Sequence, residues 1–206
     1  MKLTVEQLLE RIEKDYYYFK RVREEVRTNP DFIKLALMKN IYTYLVLPEE
    51  EKNNKEIVQM VLDNAKYNFP LREIRVQDEE QQETLKRLKR NRGYLSLFKK
   101  LFIKENEEEK DKNNIEDICL KNIDENFISQ MDTLIEGLDE VEVKYIKELY
   151  RLDGSSEQIR HNRVLGYNIP APYCVEVVTP KSIVNKAIKK IKMNINNNQV
   201  IIGLKK

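Results

Sequence analysis

The sequence predicts a mainly α-helical protein: a helical N-terminal module, then a C-terminal region of helices with a small β-ribbon. Three observations carry that expectation. Breakers are scarce, with 5 Gly and 6 Pro in 206 residues, which favours long uninterrupted elements. Charged residues are 35% of the chain against 41% apolar, the balance of helices with one buried and one solvated face. Apolar residues also recur at three- and four-residue spacing over most of the length.

The first helix is expected over residues 3–27. Thr4 can cap it with Gln7 three residues on, and Val5, Leu8, Leu9, Ile12, Tyr16, Phe19 and Val26 follow helical spacing. The aromatic run Tyr16–Phe19 fits a core edge better than a base-stacking platform. Two helices are expected next. Asn29 or Thr28 caps the first, with Pro30 in its first turn and Phe32, Leu35, Ala36 and Tyr42 on its apolar face. Pro48 breaks it. Asn54 caps the second, which buries Ile57, Val58, Val61 and Leu62, and Pro70 stops it. The stretches "NPDFIKLAL" and "NNKEIVQMVL" within residues 29–71 resemble a short helical repeat of unknown function found in bacterial and viral proteins. That resemblance implies a helix-pair scaffold and no chemistry.

Residues 76–103 form a third helical region. Its acidic residues come first; Lys86, Arg87, Lys89, Arg90, Arg92, Lys99 and Lys100 follow. The helix dipole favours that order on a solvated helix. The same density of cations, with Tyr94 and Phe98 nearby, also suits phosphate contact, making Arg87, Arg90 and Arg92 candidates. Residues 104–114 carry charge and asparagine without apolar anchors and mark the expected boundary. The organisation is therefore a helical module at 1–104, with a basic helix at 85–104, a linker at 105–114 and a second domain at 115–206. Helical spacing resumes through Ile115, Ile118, Cys119, Ile123, Phe127, Ile128, Met131, Leu134 and Ile135.

The C-terminal part reads "LDEVEVKYIKELY", then "SSEQIRHNRVLG", and later "SIVNKAIKKIK". It resembles the region-four helix-turn-helix of bacterial sigma factors and related phage transcription activators. In that resemblance Leu138, Val141, Tyr145, Ile146 and Leu149 are the buried stripe of the first helix. Asp153-Gly154 is the turn, with Gly154 left-handed, and Ser155 or Ser156 caps the next helix. A recognition helix at 181–193 would turn Lys181, Ser182, Asn185 and Lys186 to base edges and Lys189, Lys190 and Lys192 to phosphates. Asparagine can bond adenine and lysine guanine in the major groove, and no acidic residue follows Glu176. One feature departs from the family. Residues 167–178, with Pro170 and Pro172, separate the helices where a tight turn belongs. Residues 173–178 alternate like a strand, and residues 198–204 could pair with them as the β-ribbon.

The remaining signals exclude function classes. The only histidine, His161, stands in a His-Asn-Arg order with Arg163, one residue short of the His-x-x-Arg of tyrosine recombinases, and lacks triad company. No nucleophile elbow or glycine-rich phosphate loop occurs. Cys119 and Cys174 lie far apart without metal-ligand spacing, so no metal or cofactor is expected, and two thiols in a reducing cytosol are favoured over a disulfide. No apolar run matches a signal peptide or the roughly 18 residues of a membrane span, so a cytoplasmic, non-membrane protein is expected. With a net charge of +2, bulk charge selects no partner. The expected function is a non-enzymatic DNA-binding transcriptional regulator of phage or mobile-element type. Its partner would be double-stranded DNA, with RNA as the other polymer and RNA polymerase or another complex as a protein partner. The alternative is a small phage-type adaptor or inhibitor that binds a host or defence nucleic-acid complex.

Overall fold

The computed structural model describes residues 3–103, 115–154 and 180–198, with side chains in the last segment from 182 to 195. These residues are mainly helical and form no strand beyond one isolated bridge, Lys66 to Cys119. The chain divides into two compact units, Met1–Leu88 with Glu116–Asn122 and Lys89–Ile115 with Ile123–Lys206. One boundary falls inside a helix, between Leu88 and Lys89, and the others fall on either side of Glu116–Asn122; the expected linker at 105–114 lies outside the described residues.

The first unit uses one 25-residue motif three times. Helices α1 (Val5–Lys14), α3 (Pro30–Lys39) and α5 (Lys55–Asn64) start at positions 5, 30 and 55. Six-residue 3₁₀ turns follow the first two, at Tyr16–Arg21 and Ile41–Val46, and then the single turns α2 (Glu24–Arg27) and α4 (Glu49–Lys52). Capping residues repeat with the helices. Thr4 accepts from the Gln7 amide and completes a capping box. Asn29 accepts from the Asp31 and Phe32 amides, and Asn54 from those of Glu56 and Ile57. Each side chain supplies a partner to amides that a helix start leaves unbonded.

A second set of caps makes each turn. Asp15 accepts from the Tyr17 amide at 2.9 Å and Asn40 from the Tyr42 amide at 3.1 Å. These caps end α1 at Lys14, so residues 3–27 form three short elements instead of the single helix expected. Breaking the helix turns Phe19 inward, where it is 1% exposed. The third motif has Ala65 at this position, with no side-chain acceptor. Here the Tyr67 amide donates to the Ile118 carbonyl at 3.1 Å, and the Leu120 amide donates to the Ala65 carbonyl at 2.9 Å. Residues 116–122 thus dock where the motif lacks its own cap.

Equivalent positions fill the core. Ile12, Leu37 and Leu62 are buried, as are Phe19, Tyr44 and Phe69. Tyr42 lies in the second 3₁₀ turn and packs between Tyr16 at 6.0 Å and Phe69 at 5.4 Å. The Tyr44 hydroxyl donates to the Lys52 carbonyl and accepts from the Arg75 amide; burial, the largest influence on it, pushes its pKa up. In α1, exposed Gln7 and Arg11 stand where α3 and α5 bury Phe32 and Ile57, and Ala36 and Val61. A polar outer face of this kind suits the terminal member of a stack. Of the apolar face expected on α3, Phe32 and Ala36 are buried, whereas Leu35 is 44% exposed. All four expected core residues of α5 are buried.

Helix α6 runs Glu79–Phe102. In the first unit its buried Gln81 donates to the Lys55 carbonyl and accepts from the Gln77 amide. In the second unit, residues from Lys89 onward join α7 (Glu125–Glu136), α8 (Glu140–Tyr150) and α9 (Pro180–Asn198). Gly93 faces the end of α8 so closely that a Cβ there would lie 2.1 Å from the Tyr150 carbonyl oxygen. Phe98 packs on Phe127 at 5.7 Å, and the Tyr94 hydroxyl donates to Asp132 at 2.6 Å. Helix α8 ends with Arg151 in the left-handed region (φ 55) and Gly154 at φ 77, so Gly154 has the conformation its sequence context suggested. The expected buried stripe of α8 is different. Ile146 is buried, but Val141 is 55% exposed and Glu142 takes an inward position at 3%. The segment with Ser155, Ser156 and His161, the insertion at 167–178 with Cys174, and residues 199–204 of the expected ribbon lie outside the described residues; Asn198 ends α9.

Candidate nucleic-acid interface

The candidate surface belongs to α9, a lysine-bearing helix without an acidic residue. Its orientation is set by Val184, Ala187, Ile188 and Ile191, all buried against the rest of its unit. At 3.6 residues per turn these four share one stripe. Ser182, Lys186, Lys189 and Met193 fall on the opposite side, with Asn185 and Lys192 flanking them. Ser182, Asn185, Lys186, Lys189 and Met193 are exposed and Lys192 is half-buried. Among the described residues, Lys186 and Lys189 have no carboxylate partner. The Lys181 side chain is outside those described.

Lys190 has a different setting. Its ammonium lies 2.6 Å from Glu142 Oε1 and 2.7 Å from Glu142 Oε2, with Asp139 Oδ2 at 3.6 Å. The Glu142 side chain is 4% exposed. The hydrogen bond to Glu142 is the largest influence raising the Lys190 pKa. The Glu142 amide, held in the capping box, and Lys190 after it keep the Asp139 carboxyl below the usual range. Asp139 caps α8 and Glu142 lies in its first turn, where the helix dipole also favours both carboxylates. A residue read as a phosphate contact is therefore bonded to α8.

The second set of candidates lies on α6. Arg87 is exposed, Arg90 donates to Glu125, and Arg92 is half-buried. Burial first, and then the Arg151 guanidinium, lower the pKa of Lys89. The first unit contains a separate cleft of about 680 Å³, lined by Leu37, Met38, Tyr42, Met60 and Cys119 among others. Its polar groups are engaged locally. Asn40 donates to the Ile12 and Glu13 carbonyls, Lys39 pairs with Glu13, and Lys66 pairs with Asp117.

Sequence reasoning missed the 25-residue period and Glu142. The period was visible as Tyr-x-Phe, Tyr-x-Tyr and Tyr-x-Phe at 17–19, 42–44 and 67–69, in phase with Asn29 and Asn54. Glu142 gave no such signal, because its partner is 48 residues away. Among the described residues, no helix is long and apolar enough to cross a membrane. No family model matches the chain, and neither a curated protein nor a solved structure matches it.

Proposed function

We propose that this protein binds duplex DNA through the outward face of α9, as a transcriptional regulator of phage or mobile-element type. The exposed row of Ser182, Lys186 and Lys189, on a helix free of carboxylates and anchored by its opposite side, carries the reading. Phosphates are drawn to such a row by charge, and Asn185 at its edge can bond a base. Arg87, in the first unit, is a separate exposed cation. The resemblance of residues 138–154 to the first helix and turn of region four supports a role at promoters. Fluorescence anisotropy with labelled duplex DNA, single-stranded DNA and RNA over a salt series tests this. Duplex affinity should fall steeply as salt rises, and fall further in Lys186→Glu and Asn185→Ala. Absence of duplex binding by the wild type at low salt would overturn it, while tighter RNA binding would change the polymer.

A specific observation supports a second reading as a protein-binding adaptor. Met38 is 75% exposed beside the Met60 and Tyr42 cleft, with Leu35 at 44% on the same helix. Methionine surfaces adapt readily to apolar partners. Capture of a stoichiometric, nuclease-insensitive partner that Met38→Glu fails to retain would favour it.

A further inference from the structure

We propose that Asp139 and Glu142 act as an internal substitute for a phosphate group, withholding Lys190 from the anion-binding face of α9 and so limiting its affinity. The inference rests on the DNA-binding reading above. Lys190 follows Lys186 by one helical turn, so its side chain starts beside the exposed row. Its ammonium is instead held between the two oxygens of Glu142, at 2.6 and 2.7 Å, with Asp139 at 3.6 Å. This is the arrangement an anionic oxygen pair offers a lysine.

Exposure decides which competitor wins. The Lys190 side chain is 41% exposed and within reach of solvent, whereas that of Glu142 is 4% exposed. Moving Lys190 to a phosphate would strand a buried carboxylate, and that costs more than one surface phosphate contact returns. Lys190 therefore stays with Glu142 when DNA binds. Its role is positional, fastening α9 to the first turn of α8 while Lys186 and Lys189 meet the ligand.

The test is the slope of log affinity against log salt for a labelled random-sequence duplex, measured on the full chain. Each phosphate contact contributes about 0.9 to that slope. Glu142→Gln should release Lys190 and steepen the slope by about 0.9, with tighter binding at low salt, and Glu142→Gln/Lys190→Gln should return it to the wild-type value. A folded Glu142→Gln protein with an unchanged or shallower slope would overturn the inference. A merely structural role would lower the melting temperature without steepening the slope. If Glu142→Gln does not fold, Lys190→Gln decides the matter: a wild-type slope supports the inference, and a slope shallower by about 0.9 overturns it. Wild-type protein that binds no duplex removes the function and the inference together. Wild-type binding with a contrary slope in the variants removes the inference alone.

Discussion

The two units solve the same burial problem by different means. In the first, the side chains that cap the repeated motifs act locally. Asn29 and Asn54 serve amides two and three residues away. Longer links reach about one motif along, as when Asn40 bonds Ile12 and Gln81 bonds Lys55, or join the docked segment 116–122, as when Lys66 pairs with Asp117 and Lys121 with Asp63. In the second unit, polar side chains pair across long stretches of chain: Arg90 with Glu125, Tyr94 with Asp132 and Glu142 with Lys190, separated by 35, 38 and 48 residues. A stack of similar motifs depends on nearest-neighbour packing, so a local defect there should remain limited. The second unit depends on specific distant partners, so loss of one contact should spread further.

Gly93→Ala should break the comparison most severely. Its Cβ would meet a backbone carbonyl that no rotamer change can move aside. A loss of about 4 kcal/mol or more is expected, far beyond the helix propensity alanine gains. Amide hydrogen exchange should show α7 to α9 deprotected while α1 to α5 keep their protection. Phe69→Ala removes a fully buried ring of the repeated aromatic position and should cost about 3 kcal/mol. Its exchange effect should be strongest around the 3₁₀ turn at Ile41–Val46 and α5. Equal deprotection of the second unit would contradict the contrast between the two units.

The remaining effects are smaller. Tyr94 is neutral in the folded unit because burial first, and then its bond to Asp132, raise its pKa. An unfolded tyrosine ionises near 10.0. The contribution of Tyr94 is thus complete below that pH and is lost as pH rises through the folded value. Chemical denaturation above pH 10.0 should show falling stability of the second unit, and Tyr94→Phe should flatten part of the decline. Asn40→Ala should cost about 1 kcal/mol as a lost cap. Because the third motif already carries Ala65, the variant also tests whether Ile118 and its neighbours are what makes alanine tolerable there.

Much of the first unit was legible in the sequence because its determinants are local. Thr4, Asn29, Pro30 and Asn54 fall in positions where capping chemistry restricts the choice of residue, and the apolar spacing of Ile57 through Leu62 identifies a buried face. The overestimate at residues 3–27 came from spacing alone, since Val5 through Val26 keep helical periodicity across a turn made by Asp15. The candidate interface was legible as a lysine-rich, acid-free helix. Which lysines face outward was not, because that depends on what lies beneath the helix.

The sequence by itself determined the helical class and the starts of α1, α3 and α5, since caps, dipoles and periodicity act within a few residues. Only the tertiary structure decided that Ala65 would be served by a segment returning at Ile118, that Gly93 would meet Tyr150, and that Glu142 would take Lys190. Those outcomes rest on contacts between residues far apart in the chain, where burial makes an unpaired charge or a misplaced carbon too costly and selects one partner.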